Sequence, residues 1–174
     1  MKRRLFLQSS VAAAVAAALP LRAALAAAAE ITGNVNAVTG AGAEVTLEKA
    51  AVQELADSLL GQLLLPGQEG YGVSRHVLNP VIDKYPALVV RPSGAADIMN
   101  AVTFAREREL LVAVKCGGHS FSGKSTCQGG MQIDLSSYRN ARVDAESRTA
   151  YIAGGSLLGE LDHESMAHGL VTTA

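Results

Sequence analysis

Lys115-Cys116-Gly117-Gly118-His119-Ser120-Phe121-Ser122-Gly123 is the stretch on which the reading of this chain turns. It follows directly on residues 110–115 (LLVAVK), an apolar run of strand length, and leads toward another short apolar run at 131–135. Consecutive glycines admit positive φ and let a ligand approach the main chain closely. Exposed N–H groups in such a loop form an anion-binding nest. The hydroxyls of Ser120 and Ser122 add donors, and Lys115 adds positive charge. A phosphate or pyrophosphate is the natural guest. Two glycines after a strand also make an ordinary turn, and that alternative stays open on this stretch alone. The dinucleotide fingerprint, three spaced glycines opening a helix, is absent.

Outward from the loop, the chain reads as alternating strands and helices. Residues 87–91 (ALVVR) form a strand-length run, broken by Pro92-Ser93-Gly94, with Ser93 as the expected helix cap. Ile98, Met99, Val102 and Ala105 mark one helix face ending near Glu109. Strand, helix and strand within so short a span predict a βαβ unit with parallel strands. Downstream, 142–144 and 149–153 read as a strand pair about a turn at 145–148. Residues 156–168 read as a helix with Gly169 as its C-terminal stop. Upstream, Leu47, Ala51, Leu55 and Leu59 predict a helix within 44–65, stopped by Pro66-Gly67. Residues 30–43 are small, polar and Gly-rich, and read as a linker or a mature N-terminal tail. Residues 67–85 show no period and read as a structured loop.

The 174 residues hold 15 Lys+Arg, 16 Asp+Glu and 4% aromatics. With no basic surplus and few stacking rings, nothing argues for a nucleic-acid partner. The charge is unevenly spread. Residues 1–29 contain Lys2, Arg3, Arg4 and Arg22 and no acid, so the other 145 carry 11 basic and 16 acidic residues, a net of −5. The first segment has the form of an export signal: a basic start (KRRLFLQ), an apolar Ala-rich stretch, then Pro20 and small residues to Ala29. The apolar run is too short for a stable membrane span. Arg3-Arg4 before Leu5-Phe6-Leu7 looks like a twin-arginine signal, which implies the twin-arginine translocation machinery as a partner; an ordinary secretory signal with two chance arginines is the alternative. A periplasmic or secreted location follows, in an oxidising compartment. The expected division is therefore a signal peptide at 1–29, a linker and helix at 30–80, and the principal domain at 81–174.

Three other constellations are weaker. Cys116, His119 and Cys127 lack the paired spacing of a zinc site, and His163 and His168 do not share a helix face, so no metal is expected. An oxidising compartment permits a Cys116–Cys127 disulfide, but two thiols are the preferred reading. Ser156, Asp162 and His163 resemble hydrolase parts without the nucleophile elbow; a helix-cap role suits Ser156 better, and Glu160, Asp162 and Glu164 read as a solvated helix face.

From about Pro86 to Ala174 the chain resembles the start of the PCMH-type FAD-binding domain of the vanillyl-alcohol oxidase superfamily, in its berberine bridge enzyme-like and bacterial FAD-linked oxidase branch. Four pieces carry the resemblance in order: PALVVRPSGAADIMNAVTFARE, LLVAVKCGGHSFSGKS, GGMQIDLSSYRNARVD and RTAYIAGGSLLGELDHESMAHGL. It implies an α+β fold in which the βαβ unit belongs to a first subdomain and a second subdomain is incomplete. It implies FAD as cofactor, held by Lys115, Cys116, Gly117, Gly118, His119, Ser120, Ser122 and Gly123, with the main-chain amides on the pyrophosphate. His119 stands where many members attach the flavin 8α-methyl covalently. The implied activity is oxidation of a small organic substrate by hydride transfer to flavin. Two departures stand out: Lys115 replaces a usual Arg, and Cys116 a usual small residue. The second Gly-rich segment, the second covalent anchor, the substrate-binding domain and the catalytic base are expected beyond Ala174. The resemblance thus leaves two expectations: an exported flavin oxidoreductase, or a flavin-domain fragment without activity of its own.

Overall fold

The computed structural model describes residues 31–173; the signal-peptide reading of 1–29 lies outside them. A four-stranded sheet forms the centre, from β3 (Gln62–Leu64), β4 (Leu88–Arg91), β5 (Val112–Lys115) and β6 (Met131–Asp134). Its spatial order is β3-β4-β6-β5. β4 and β5 both run parallel to β6, and β3 is antiparallel to β4. The expected strand–helix–strand unit is present, but its strands are not neighbours. The helix between them spans two strand widths, and β6 fills the gap.

Side chains alternate across a strand, so each face has its own character. Leu88 and Val90 of β4 and Met131 and Ile133 of β6 face the main core. Helix α1 (Lys49–Ser58) adds Val52 and Leu55, and α3 (Ala95–Glu107) adds Ala101, Phe104 and Ala105. On the opposite face Val89 packs with Leu64 and with Tyr71 of the short helix α2 (Tyr71–Arg75). That face also buries Lys115, Gln132 and Asp134 near the strand ends.

The segment expected to be a linker is folded. β1 (Val35–Val38) and β2 (Glu44–Leu47) form an antiparallel hairpin, which buries Ala37 and Leu47 in the core. Val38 ties it to the sheet by accepting from Leu111 N and donating to Gly129 O. With β3 inside the central sheet, residues 35–64 belong to the same folded unit as the domain downstream. The helix expected across 44–65 is therefore three elements. Glu48 is extended, so the helix begins only at Lys49. It ends at Ser58 because the next residues turn to meet Asp97, which accepts from Leu60 N and Gly61 N. Gly61 lies flat against the end of β4, where a Cβ would fall 2.1 Å from Arg91 O.

The cap of α3 differs from expectation as well. Gly94 precedes the helix, and Ser93 supplies no hydroxyl acceptor to it. Instead Ser93 N and Oγ both donate to Asp97 Oδ2 in the first turn. Downstream, β7 (Ala141–Asp144) and β8 (Thr149–Ile152) form the expected hairpin, its turn closed by Asp144. Helix α4 (Leu158–Met166) follows, and Gly169 ends it at φ +67°. No helix among the described residues is long and apolar enough to cross a membrane.

Candidate cofactor-binding loop

Parallel neighbours β5 and β6 need a long crossover to return the chain to the same sheet edge. Here residues 116–130 make it without a helix or strand. A crossover this long and irregular is uncommon in a compact domain unless it serves a function. It begins at the carboxyl end of β5, where open α/β sheets place their ligands.

Lys115 anchors the start of the loop. Its buried ammonium donates to Ser74 O at 2.7 Å and pairs with Asp134 Oδ1 at 3.2 Å. Gln132 Nε2 donates to the same Ser74 carbonyl. The charge expected to face a phosphate is thus compensated within the fold. Cys116 is a half-buried thiol beside Gly154, whose Cβ position would lie 3.6 Å from its sulfur.

The two glycines are required for different reasons. The exposed imidazole of His119 folds back over Gly117, and a Cβ there would meet its Cδ2 at 2.7 Å. Gly118 has φ +72° and is buried. Ser120 closes the next turn: its carbonyl accepts from Gly123 N and its hydroxyl from Lys124 N. Ser122 is exposed. Gly123, at φ +70°, lies against Ile82, which a Cβ would approach within 2.6 Å.

Ser125 and Thr126 add what the sequence reading missed. Both are buried, and both hydroxyls lack a hydrogen-bond partner. An orphaned buried hydroxyl is costly, and two in succession within a ligand loop mark unmet capacity for a guest. Alternating polar residues in a loop gave no periodic signal for them. Cys127 beside them is a buried thiol that burial pushes up to about 11. Cys116 and Cys127 are both free thiols.

The remaining candidates stand elsewhere. Ser156 exchanges two hydrogen bonds with the Asn140 backbone, so its hydroxyl is engaged structurally. Glu160 is more than a solvated residue: it accepts from Leu157 N at the start of α4 and pairs with Arg139. His163 is exposed beside Glu164. An open cleft of about 560 Å³ is lined by Arg139, Asn140, Leu157, Glu160 and His163 among others, and shares no residue with the Gly-rich loop. Among the described residues no group of three or more His, Cys, Asp or Glu is placed to hold a metal ion.

The family model described as an FAD binding domain matches residues 86–174, half the chain, and the protein belongs to that family. An FAD-linked oxidoreductase of Dictyostelium discoideum is 37% identical over 68% of this chain and 26% of its own length. The (R)-6-hydroxynicotine oxidase of Paenarthrobacter nicotinovorans is 28% identical over 65% of this chain and 25% of its own. Among solved structures, 6-hydroxy-D-nicotine oxidase from Arthrobacter nicotinovorans superposes with a TM-score of 0.61 at 28% identity, covering 64% of this chain and 25% of that one. A chitooligosaccharide oxidase shares the fold at 22% identity, with a TM-score of 0.61 over 69% of this chain and 26% of its own. The chain spans about a quarter of the length of the relatives it matches.

The family's cofactor is FAD, and the loop suits it. A diphosphate needs main-chain donors and close backbone approach. Gly118 supplies a left-handed turn at φ +72°, while the Cβ directions of the two glycines are already occupied, by His119 at Gly117 and by Val77 and Leu78 at Gly118. The amides of His119 and Ser122 donate to no acceptor among the described residues.

Proposed function

We propose that this chain carries the diphosphate-binding portion of an exported FAD-linked oxidoreductase that oxidises a small organic substrate. The observation that carries the reading is the Gly-rich crossover at the carboxyl ends of parallel strands, with exposed His119 resting on Gly117. Bound FAD supplies two-electron redox chemistry, accepting a hydride from a substrate carbon bearing OH or NH. The residues here bind and orient. Amides of the loop hold the diphosphate, Ser125 and Thr126 offer hydroxyls to the same guest, and His119 tethers the isoalloxazine ring.

Apoprotein of the full-length product is expected to take up one FAD per chain, and the flavin to bleach when an oxidisable alcohol or amine is added without oxygen. Failure to bind FAD at all sinks the reading. A second reading, a flavin-domain piece without activity of its own, draws support from the β7–β8 hairpin, where Tyr151 and Ile152 are exposed. Helix α4 packs on the hairpin but leaves those two side chains uncovered. Flavin uptake by the 174-residue chain itself separates the two, since the fragment reading expects little.

Export is proposed from the sequence of residues 1–29. Replacing Arg3 and Arg4 together by Lys should leave the protein in the cytoplasm, because the translocation machinery reads the arginine pair. Undiminished periplasmic accumulation of that variant argues for an ordinary secretory signal instead.

A further inference from the structure

Residues 78–85 read as a loop without a role in the sequence, yet they run beside the Gly-rich loop along its length. Leu78 N donates to Gly118 O at 3.0 Å. Asn79 Nδ2 donates to Phe121 O at 3.3 Å. The half-buried Lys84 sends Nζ to Gly123 O at 3.1 Å and to Thr126 O at 3.5 Å. Tyr85 O then accepts from Gly129 N. The segment is itself held: Arg75 bonds Asp83 and Lys84 O, and its guanidinium lies 3.9 Å from the centre of the Tyr85 ring.

Every donor from residues 78–84 in this set takes a carbonyl. In a trans peptide, the carbonyl of one residue and the N–H of the next point in opposite directions. The described residues contain no cis peptide bond. Drawing the carbonyls of Gly118, Phe121, Gly123 and Thr126 toward residues 78–84 therefore turns the amides of His119, Ser122, Lys124 and Cys127 the other way. The Lys124 amide is taken by Ser120 Oγ. Those of His119, Ser122 and Cys127 donate to nothing among the described residues.

We propose that Lys84 is a positioning residue: its ammonium, with Leu78 N and the Asn79 amide, draws the loop carbonyls to one side so that the loop amides face a diphosphate. This rests on the flavin reading above and adds a residue outside the loop that sets its polarity. Lys84 does not touch the diphosphate in this account. Neutral methionine keeps the stem but loses the donor, whereas arginine keeps a charged donor.

The test uses full-length apoprotein, with ADP as a reversible diphosphate probe that avoids covalent attachment. By calorimetric titration, Lys84→Met should weaken ADP about tenfold, the effect of losing hydrogen bonds from a charged donor. Lys84→Arg should stay within about threefold of wild type. The second readout needs no ligand: tryptic cleavage after Lys124 should accelerate about tenfold in Lys84→Met and little in Lys84→Arg, at unchanged melting temperature. Should Lys84→Met not fold, Asn79→Ala is expected to show the same directions with smaller size. Equal ADP affinity, or equal cleavage rates, in wild type and Lys84→Met overturns the proposal. Wild-type protein that binds neither ADP nor FAD defeats the flavin reading, and the cleavage rates then decide the clamp alone.

Discussion

His119→Ala should abolish the flavin fluorescence that follows the protein through a denaturing gel, while wild type retains it. The loop presents this imidazole to solvent, folded over a residue that has no side chain to obstruct it. A neutral imidazole nitrogen is a nucleophile, and the ring belongs to the same loop as the amides proposed to hold the diphosphate. Covalent attachment is all or nothing on such a gel, so the expected change is from near-stoichiometric to background. Native His119→Ala protein should still bind FAD, since the loop amides and the Ser125 and Thr126 hydroxyls proposed for the diphosphate survive the substitution. Gly117→Ala offers a companion: its Cβ would displace the ring, so the covalent fraction should fall while the imidazole remains in the sequence. Fluorescence equal in wild type and His119→Ala would remove His119 as the tether and leave it as a noncovalent neighbour.

The parts of this fold that were legible share one property: they are local. Residues 87–91 are an apolar run because β4 is buried on both faces, and the sequence reports that directly; 110–115 reads the same way although Val112 and Val114 of β5 are exposed. The hairpin β7–β8 was legible from its turn. What was missed depends on distant partners. Leu47, Ala51, Leu55 and Leu59 keep helical spacing, yet Leu47 belongs to a strand because residues 35–38 pair with it. β3 exists because Gln62–Leu64 meets β4 across more than twenty residues of intervening chain. No window of sequence contains that pairing. The slot between β4 and β5 was invisible for the same reason.

The site divides along the same line. Gly117, Gly118 and His119 were legible because glycine and histidine are chemically distinctive and adjacent. Lys115 carried a charge that suggested a phosphate, but its direction was set by Asp134 and the Ser74 carbonyl, which lie far away in sequence. Lys84 and Asn79 sat in an aperiodic stretch that offered only a turn signal at Asn79-Pro80. Their work is hydrogen bonding to main-chain carbonyls, and carbonyls leave no mark on a sequence. Ser125 and Thr126 became conspicuous only once their burial was known.

Asp97→Ala should cost about 3 kcal/mol of stability and lower the melting temperature by roughly 10 °C, measured by thermal and urea unfolding. The carboxylate is 2% exposed and accepts four hydrogen bonds: from Leu60 N, Gly61 N, Ser93 N and Ser93 Oγ. It joins the exit from α1, the entry to β3 and the first turn of α3, so its loss strands donors in three elements together. Burial alone raises its pKa, but the bonds from Ser93, Leu60 and Gly61 outweigh that and hold it below the ordinary value. A carboxyl whose folded pKa is depressed stabilises the fold above its unfolded pKa, about 3.9, and ceases to do so as pH falls through the lower folded value. The gap between wild type and Asp97→Ala should therefore be full at neutral pH and shrink in acid below about pH 4. Asp97→Asn should fall between them, because an amide keeps one acceptor oxygen but turns a donor toward donors. A gap that stays constant into acid, or an Asp97→Asn protein as stable as wild type, would show that this carboxylate does not carry its charge into the folded state. Since Asp97 fixes the course of β3 and the helix leading to β5, the Gly-rich crossover inherits its starting position from a residue that never touches it.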